Sequence, residues 1–237
     1  MQVVNVWDVV SAKVVAAVPG ARALATAGHS IAASFGYADG QIPRELMIDM
    51  VGRIAAAVEV PVSADLDDGY GDAGETVRRA IGVGIVGANV EDRMKPLDES
   101  VATVRAIVAA AAAEGVPFAL NARTDAFLGR DERTEADRTA QAIERGRAYL
   151  AEGATTVFVP GNFGEEVVAA LVDGLGPQKL SVIGFPALPV PARLQELGVA
   201  RVSYGPLTQR VALAALEDLA TDLLAGGVPP RGIRPLN

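Results

Sequence analysis

The chain has 237 residues, half of them hydrophobic and only 5% aromatic, with a net charge of −8 at pH 7, no cysteine and one histidine. That length fits one large core, and the acidic balance argues against nucleic acid or an anionic membrane surface as the main partner. Disulfides, Cys-ligated zinc and thiol nucleophiles are excluded.

The first residues, "MQVVNVWDVV", lack the basic and apolar segments of a signal peptide. No apolar run approaches the roughly 18–20 residues of a membrane span, so a soluble, cytoplasmic protein is expected. Gln2–Val6 is mostly β-branched and reads as a strand, and "DVVSAKVVAAV" after it reads as a helix. Arg22–Thr26 is the second strand. Pro43, a favoured residue in a first helical turn, opens a helix with Met47, Met50, Val51, Ile54 and Val58 on one face. Further strands are expected at Val60–Ala64, Val86–Val90, Pro117–Asn121, Thr155–Val159, Lys179–Ile183 and Ala200–Ser203. Helical patterns separate them, among them Val101, Val104, Val108 and Ala111, and finally Leu213, Leu216, Ala220 and Leu223.

This gives eight strand–helix pairs with no segment left over. The strands are short and apolar on both faces, as in buried parallel sheets, and Gly153 and Gly198 stop the helices before two of them. A single-domain (β/α)8 barrel over residues 1–237 is therefore expected, with an open doubly wound sheet as the alternative. The tail 226–237 reads as an irregular end.

In a barrel, chemistry gathers at the C-terminal ends of the strands. The third to fifth strands would present Asp65, Asp67, Glu91 and Arg123 to one mouth. Oxygen donors without His or Cys suit a hard cation, Mg²⁺ or alternatively Mn²⁺, completed by waters and substrate. "DLDDGYGD" is no EF-hand loop, because its sixth and twelfth positions are Tyr70 and Thr76. The plainer alternative makes the acids helix caps and strand-end charges, with Arg123 as their neutraliser; Asp72, ahead of "AGETVRRAI", reads as such a cap. Gly82–Gly87 matches G-x-G-x-x-G but closes a helix and opens a strand, the reverse of a dinucleotide fingerprint.

The small residues of the turn Thr26, Ala27, Gly28, His29 leave backbone N–H groups approachable by an anion such as a carboxylate. "GHSIA" is not a nucleophile elbow. His29 either donates to nearby backbone or takes part in proton transfer.

The segments "NVWDVVSA", "TAGHSIAASFGYADG", "DLDDGYG", "VGANVEDR" and "LNARTDAF", in this order over nearly the whole chain, resemble the isocitrate lyase/phosphoenolpyruvate mutase superfamily. The resemblance implies a (β/α)8 barrel that binds Mg²⁺ and an α-keto acid and works through an enolate-like intermediate. It implies Asp65 and Asp67 as metal-site carboxylates, with Asp39 and Glu91 holding the shell through water. The substrate carboxylate would meet the N–H groups of Thr26, Ala27, Gly28 and His29, and Arg123 would contact substrate oxygens. Where isocitrate and methylisocitrate lyases carry a Cys-bearing gate, this chain reads "EDRMKPLDES", so those two activities are not expected. The longer gating loop of the mutase is missing too, as is a Glu in "FVPGNF" after the sixth strand.

The expected function is a Mg²⁺-dependent, oxaloacetate decarboxylase-like lyase acting on a small α-keto acid or 2-oxo-dicarboxylate. The alternatives are C–P chemistry on phosphonopyruvate and a non-catalytic keto-acid-binding module. A homo-oligomer is compatible with the sequence, though exchange of the helix that family members swap is not expected, since the chain stops soon after its eighth helix.

Overall fold

The computed structural model describes residues 1–129 and 131–234. Eight parallel strands follow one another around the sheet in chain order: β1 (Val4–Val6), β2 (Leu24–Thr26), β3 (Val62–Asp65), β4 (Gly87–Glu91), β5 (Ala119–Arg123), β6 (Thr156–Phe158), β7 (Leu180–Ile183) and β8 (Arg201–Ser203). A parallel bridge between Gln2 and Val202, with the Val3 N–H donating to Val202 O at 2.9 Å, joins the last strand to the first. The sheet is thus a nearly closed barrel rather than an open doubly wound sheet. Each expected strand lies within two residues of its observed bounds.

Nine helices accompany the strands among the described residues: α1 (Val9–Ala16), α2 (Gly28–Ser34), α3 (Arg44–Ala56), α4 (Ala73–Gly82), α5 (Leu97–Ala113), α6 (Glu135–Ala151), α7 (Glu165–Leu175), α8 (Pro191–Glu196) and α9 (Leu207–Leu224). The unforeseen one is α2, a short helix wedged between β2 and α3. Local chemistry sets the starts. Asp8 caps α1, its carboxylate accepting from Ser11 N at 2.6 Å, and Asp72 caps α4 by accepting from Glu75 N at 3.0 Å. Gly153 and Gly198, at φ 100° and 97°, turn the chain out of α6 and α8 as their sequence positions required.

The strands are not apolar on both faces. Apolar side chains such as Leu24, Val62, Val90, Val157 and Val182 are buried in the core, but the barrel lumen is polar. Asn121 Nδ2 donates to Asn89 Oδ1 at 2.6 Å and to Ser181 Oγ at 3.3 Å, and Arg201 Nη1 donates to Asn89 Oδ1 at 3.0 Å. Bonds that link β4 to β8 and β5 to β7 can run only through the interior. Successive strand residues point to opposite faces, so the same parity that brings Asn89 and Asn121 inward brings Glu91 and Arg123 inward one step higher.

The expected helix of Leu213, Leu216, Ala220 and Leu223 is α9, yet among its 18 residues only Gln209 is buried. Val211, Leu213 and Leu216 are 70%, 54% and 59% exposed. The helix leaves the wall after its first turn, where Gln209 Nε2 donates to Ser30 O at 3.2 Å. The tail is irregular as far as residue 234, and its last three residues lie outside those described.

Candidate active site

The register of the strands assembles the site. Glu91 on β4 lies opposite Arg123 on β5, and Asp65 on β3 lies opposite Asn89. At the mouth above them opens a cleft of about 760 Å³, lined by Asp39, Asp65, Asp67, Glu91, Arg123 and His29 among others. The structure therefore brings Ala27, His29, Asp39, Asp65, Asp67, Glu91 and Arg123 to one cavity, whereas Thr26 and Gly28 are not part of its lining. Among the described residues, however, no three His, Asp or Glu groups form a ready-made metal cage.

Asp65 and Asp67 converge on Gly28. The Gly28 N–H donates to Asp65 Oδ2 at 2.9 Å, and a Cβ on this residue would stand 3.1 Å from Asp65 Oδ2 and 3.3 Å from Asp67 Oδ1. Glycine is needed here for close approach. Burial, with Asp67 beside it, pushes the Asp65 carboxyl up to about 7. Burial also raises Asp67, against the Tyr70 hydroxyl that donates to its Oδ2 at 2.5 Å. Asp67 and Tyr70 both lie in the left-handed region, at φ 48° and 56°. Such backbone is costly for residues with a Cβ and gathers at functional sites. The loop thus holds two acids close together under strain, Asp67 buried and Asp65 half-buried.

Glu91 is placed differently. Arg93 Nε donates to its Oε1 at 2.8 Å, and Arg123 Nη1 stands 2.8 Å from its Oε2. Both oxygens are engaged by cations, so Glu91 orients Arg123 more directly than it faces a metal. Arg123 also donates from Nε to Asp125 Oδ1 at 2.7 Å, while its Nη2 makes no hydrogen bond among the described residues. Burial works against the Arg123 charge, but Asp125, Glu91 and Asp65 outweigh it and hold the guanidinium firmly protonated.

The turn after β2 is less free than its sequence suggests. The Ala27 N–H donates to Val6 O at 3.0 Å and the Gly28 N–H to Asp65, while Thr26 Oγ1 accepts from Asp65 N at 2.9 Å. Ala27 and Gly28 are thus occupied, and the turn acts first as the seat of Asp65. The side chain of His29 makes no hydrogen bond to backbone among the described residues. Its Nδ1 lies 3.4 Å from Asp39 Oδ2, the two side chains being 40% and 64% exposed.

Three residues escaped the sequence reading. Tyr70 had no signal beyond its place in the acidic loop. Asp92 is buried, accepting from Met94 N at 2.9 Å and Asp125 N at 3.1 Å on one oxygen, and from Arg145 Nε at 2.6 Å and Tyr149 at 2.7 Å on the other. It locks the five-residue turn between β4 and α5, where Arg93 and Met94 sit at φ 45° and 54°. Arg201 has Nε and Nη2 buried without a partner among the described residues, and burial lowers it to about 10, partly offset by Asp65. An arginine inside a predicted strand was the available signal.

The profile of the family described as phosphoenolpyruvate phosphomutase matches residues 1–224. The chain belongs to that family. An uncharacterized protein of Mycobacterium tuberculosis is 31% identical over 232 residues, 97% of this chain and 86% of the relative. The 2,3-dimethylmalate lyase of Eubacterium barkeri is 32% identical over 190 residues, 75% of this chain and 66% of that enzyme. An oxaloacetate decarboxylase of Pseudomonas syringae is 29% identical, and the match spans 72% of this chain but 61% of the enzyme. Among solved structures, a provisional phosphonomutase of Burkholderia cenocepacia superposes with a TM-score of 0.87 at 38% identity, covering 93% of each chain. Oxaloacetate acetylhydrolase in complex with the product oxalate gives 0.87 at 28% identity, covering 99% of this chain and 86% of that one. Members of this family thus combine the barrel found here with names for both C–C and C–P chemistry.

Proposed function

We propose that this family member is a divalent-cation-dependent lyase that breaks the bond one carbon beyond the keto group of a 2-oxo acid, C3–C4, so that the electron pair is left as an enolate; oxaloacetate, which would release CO2, is the simplest substrate of the class. The convergence of Asp65 and Asp67 on Gly28 carries the reading. A buried carboxylate beside a half-buried one, the latter raised to about 7 by burial and by its acidic neighbour, suits a hard cation, which typically takes one or two carboxylates and keeps several waters. Asp65 and Asp67 would hold Mg²⁺ or Mn²⁺. When bound, the ion supplies Lewis-acid stabilisation of charge on the substrate's keto oxygen.

The chain's own groups do the rest. Arg123, fixed by Glu91 and Asp125, offers Nη2 to a substrate oxygen that gains charge as the neighbouring bond breaks. Thr26 and Gly28 keep Asp65 in place, and His29 adds an N–H at the start of α2. The exposed His29–Asp39 pair lies where a proton can be exchanged with solvent. No helix among the described residues is long and apolar enough to cross a membrane, and a small anionic keto acid is the partner that the cleft fits.

C–P chemistry on phosphonopyruvate is the second reading, favoured by the likeness to the provisional phosphonomutase. A phosphonate needs free cations, and two of the available ones are already paired: Arg93 with Glu91 at 2.8 Å and Lys95 with Asp68 at 3.2 Å. The test is turnover. Oxaloacetate and phosphonopyruvate are offered with Mg²⁺, pyruvate release is followed, and phosphorus NMR watches for phosphoenolpyruvate. Pyruvate from oxaloacetate, lost in Asp65→Ala, is expected; binding of both compounds without turnover would identify a keto-acid-binding module instead.

Self-association also belongs to this proposal. The exposed stripe of α9 flanks an apolar groove lined by Val4, Trp7, Val10, Val14 and Val211, so a second copy is the fitting cover. Light scattering on Leu216→Arg, expected to be monomeric, checks it against the unaltered chain.

A further inference from the structure

The cleft is divided. Asp65, Asp67, Glu91 and the guanidinium of Arg123 come from β3 to β5 and the loops after them, whereas Phe158, Pro160, Ile183 and Phe185 come from β6, β7 and their loops. The change falls at one register step, since Arg123 on β5 lies opposite Phe158 on β6. In a ring of eight strands, β3 stands across the mouth from β7. The acidic pair and the apolar wall therefore face each other over one cavity.

Asn5 and Ser203, the polar side chains of β1 and β8 in the cleft, are engaged within the chain. Asn5 Oδ1 accepts from Tyr204 N at 2.7 Å and Gly205 N at 2.8 Å, and Asn5 Nδ2 donates to Thr26 O at 2.9 Å. Ser203 Oγ leans on Val182 O at 3.5 Å. The wall is also preformed. Behind it the rings of Phe127 and Phe163 pack at 4.8 Å, and Gly161 presses so closely on them that a Cβ would stand 2.7 Å from Phe163 and 2.9 Å from Phe127. Phe158 and Ile183 are only 5% and 6% exposed, so they present a fixed surface.

A bare C4 keto acid held between Asp65, Asp67 and Arg123 would leave this wall facing water. The cleft's 760 Å³ lies within the range of pockets that enclose whole drug-sized ligands, roughly 300–1,000 Å³. We infer that the β6–β7 half of the cleft is an apolar subsite, and that the preferred substrate is a 2-oxo acid bearing an alkyl or aryl substituent on the carbon next to its keto group. This rests on the keto-acid reading above and names the class of substrate within it. The substituent points away from the carboxylate and keto oxygens, past Arg123, and lies against Phe158, Ile183 and Phe185.

Oxamates test it, because their carboxylate and carbonyl imitate the 2-oxo acid while the amide nitrogen carries any chosen arm. Calorimetry on the whole chain with Mg²⁺ compares oxalate, oxamate, N-methyl-, N-butyl- and N-phenyl-oxamate. Burial of apolar surface predicts roughly a fourfold gain in affinity per methylene covered, so N-butyl-oxamate should bind at least about tenfold tighter than oxamate. In Ile183→Asn and Phe185→Ser the ratio of N-butyl-oxamate to oxamate affinity, read on the same variant, should fall towards one. Oxalate binding with a flat alkyl series on the unaltered chain would overturn the subsite and leave the keto-acid site standing. Failure of oxalate itself to bind with Mg²⁺ or Mn²⁺ would remove both. Arg210 stands at the rim of the same cleft, which adds a third arm: N-(carboxymethyl)oxamate binding tighter than N-butyl-oxamate would overturn the apolar assignment in favour of a second anion.

Discussion

Gly28 lies directly against Asp65: its N–H donates to Asp65 Oδ2 at 2.9 Å, and a methyl group in place of its hydrogen would stand 3.1 Å from that oxygen. Gly28→Ala should therefore push Asp65 and Asp67 apart by a few tenths of an ångström. Its backbone is not in the left-handed region, and alanine favours a helix by up to about 1 kcal/mol over glycine. Melting temperature should stay nearly unchanged while Mg²⁺ affinity, measured by calorimetry with oxalate, drops about tenfold, some 1.4 kcal/mol. Unchanged affinity would separate the two acids from cation binding.

The raised Asp65 carboxyl makes stability depend on pH with a definite sign. Its ordinary value is 3.8 and its folded value about 7, so between these the folded, cation-free chain holds a proton that the unfolded chain has lost. Stability from this group is present below about pH 4 and is lost as pH rises through 7. Asp65→Asn should then stabilise the cation-free chain at pH 8 by about 2–4 kcal/mol. Near pH 4 it should do nothing. Thermal melts at both pH values in a chelator check this, and in the unaltered chain Mg²⁺ affinity should climb up to about pH 7 because the proton and the cation compete.

Arg123 is held by Glu91 and Asp125 on two of its nitrogens, an arrangement that a lysine cannot reproduce with a point charge. Arg123→Lys should lower kcat and kcat/KM together, by about a hundredfold or more, as removal of a transition-state donor does. Loss of melting temperature with specific activity intact would instead assign Arg123 a purely structural role.

The pair Arg145–Asp92 sits behind the site, 2.6 Å apart with both side chains almost wholly buried. Burial pushes Asp92 up, but hydrogen bonds from Met94, Tyr149 and Asp125, with the charge of Arg145, outweigh it and hold the carboxyl below its usual range. Arg145→Met removes one partner and leaves a buried acid, which should cost about 3–5 kcal/mol in denaturant unfolding. Arg145→Met with Asp92→Asn should recover much of that loss, since an amide carries no charge to strand.

The sequence by itself determined the eight strands, their order and the end of the barrel where the acids gather. These are local matters: short β-branched runs make strands, Gly153 and Gly198 stop helices, and right-handed crossovers leave few ways to arrange alternating units. Asp65, Asp67, Glu91 and Arg123 were legible because each stands at or just beyond the end of such a run. Which group each one touches was not. Glu91 is bound to Arg93 and Arg123 because the β4–β5 register sets it opposite Arg123, and Asp65 takes the Gly28 N–H from 37 positions away. The polar lumen was hidden for the same reason, since Asn89 and Arg201 meet only when β8 closes against β1. The stripe of α9 shows the limit from the other side: periodicity records that a helix has an apolar face, but only the tertiary structure decides whether this chain's own barrel covers it.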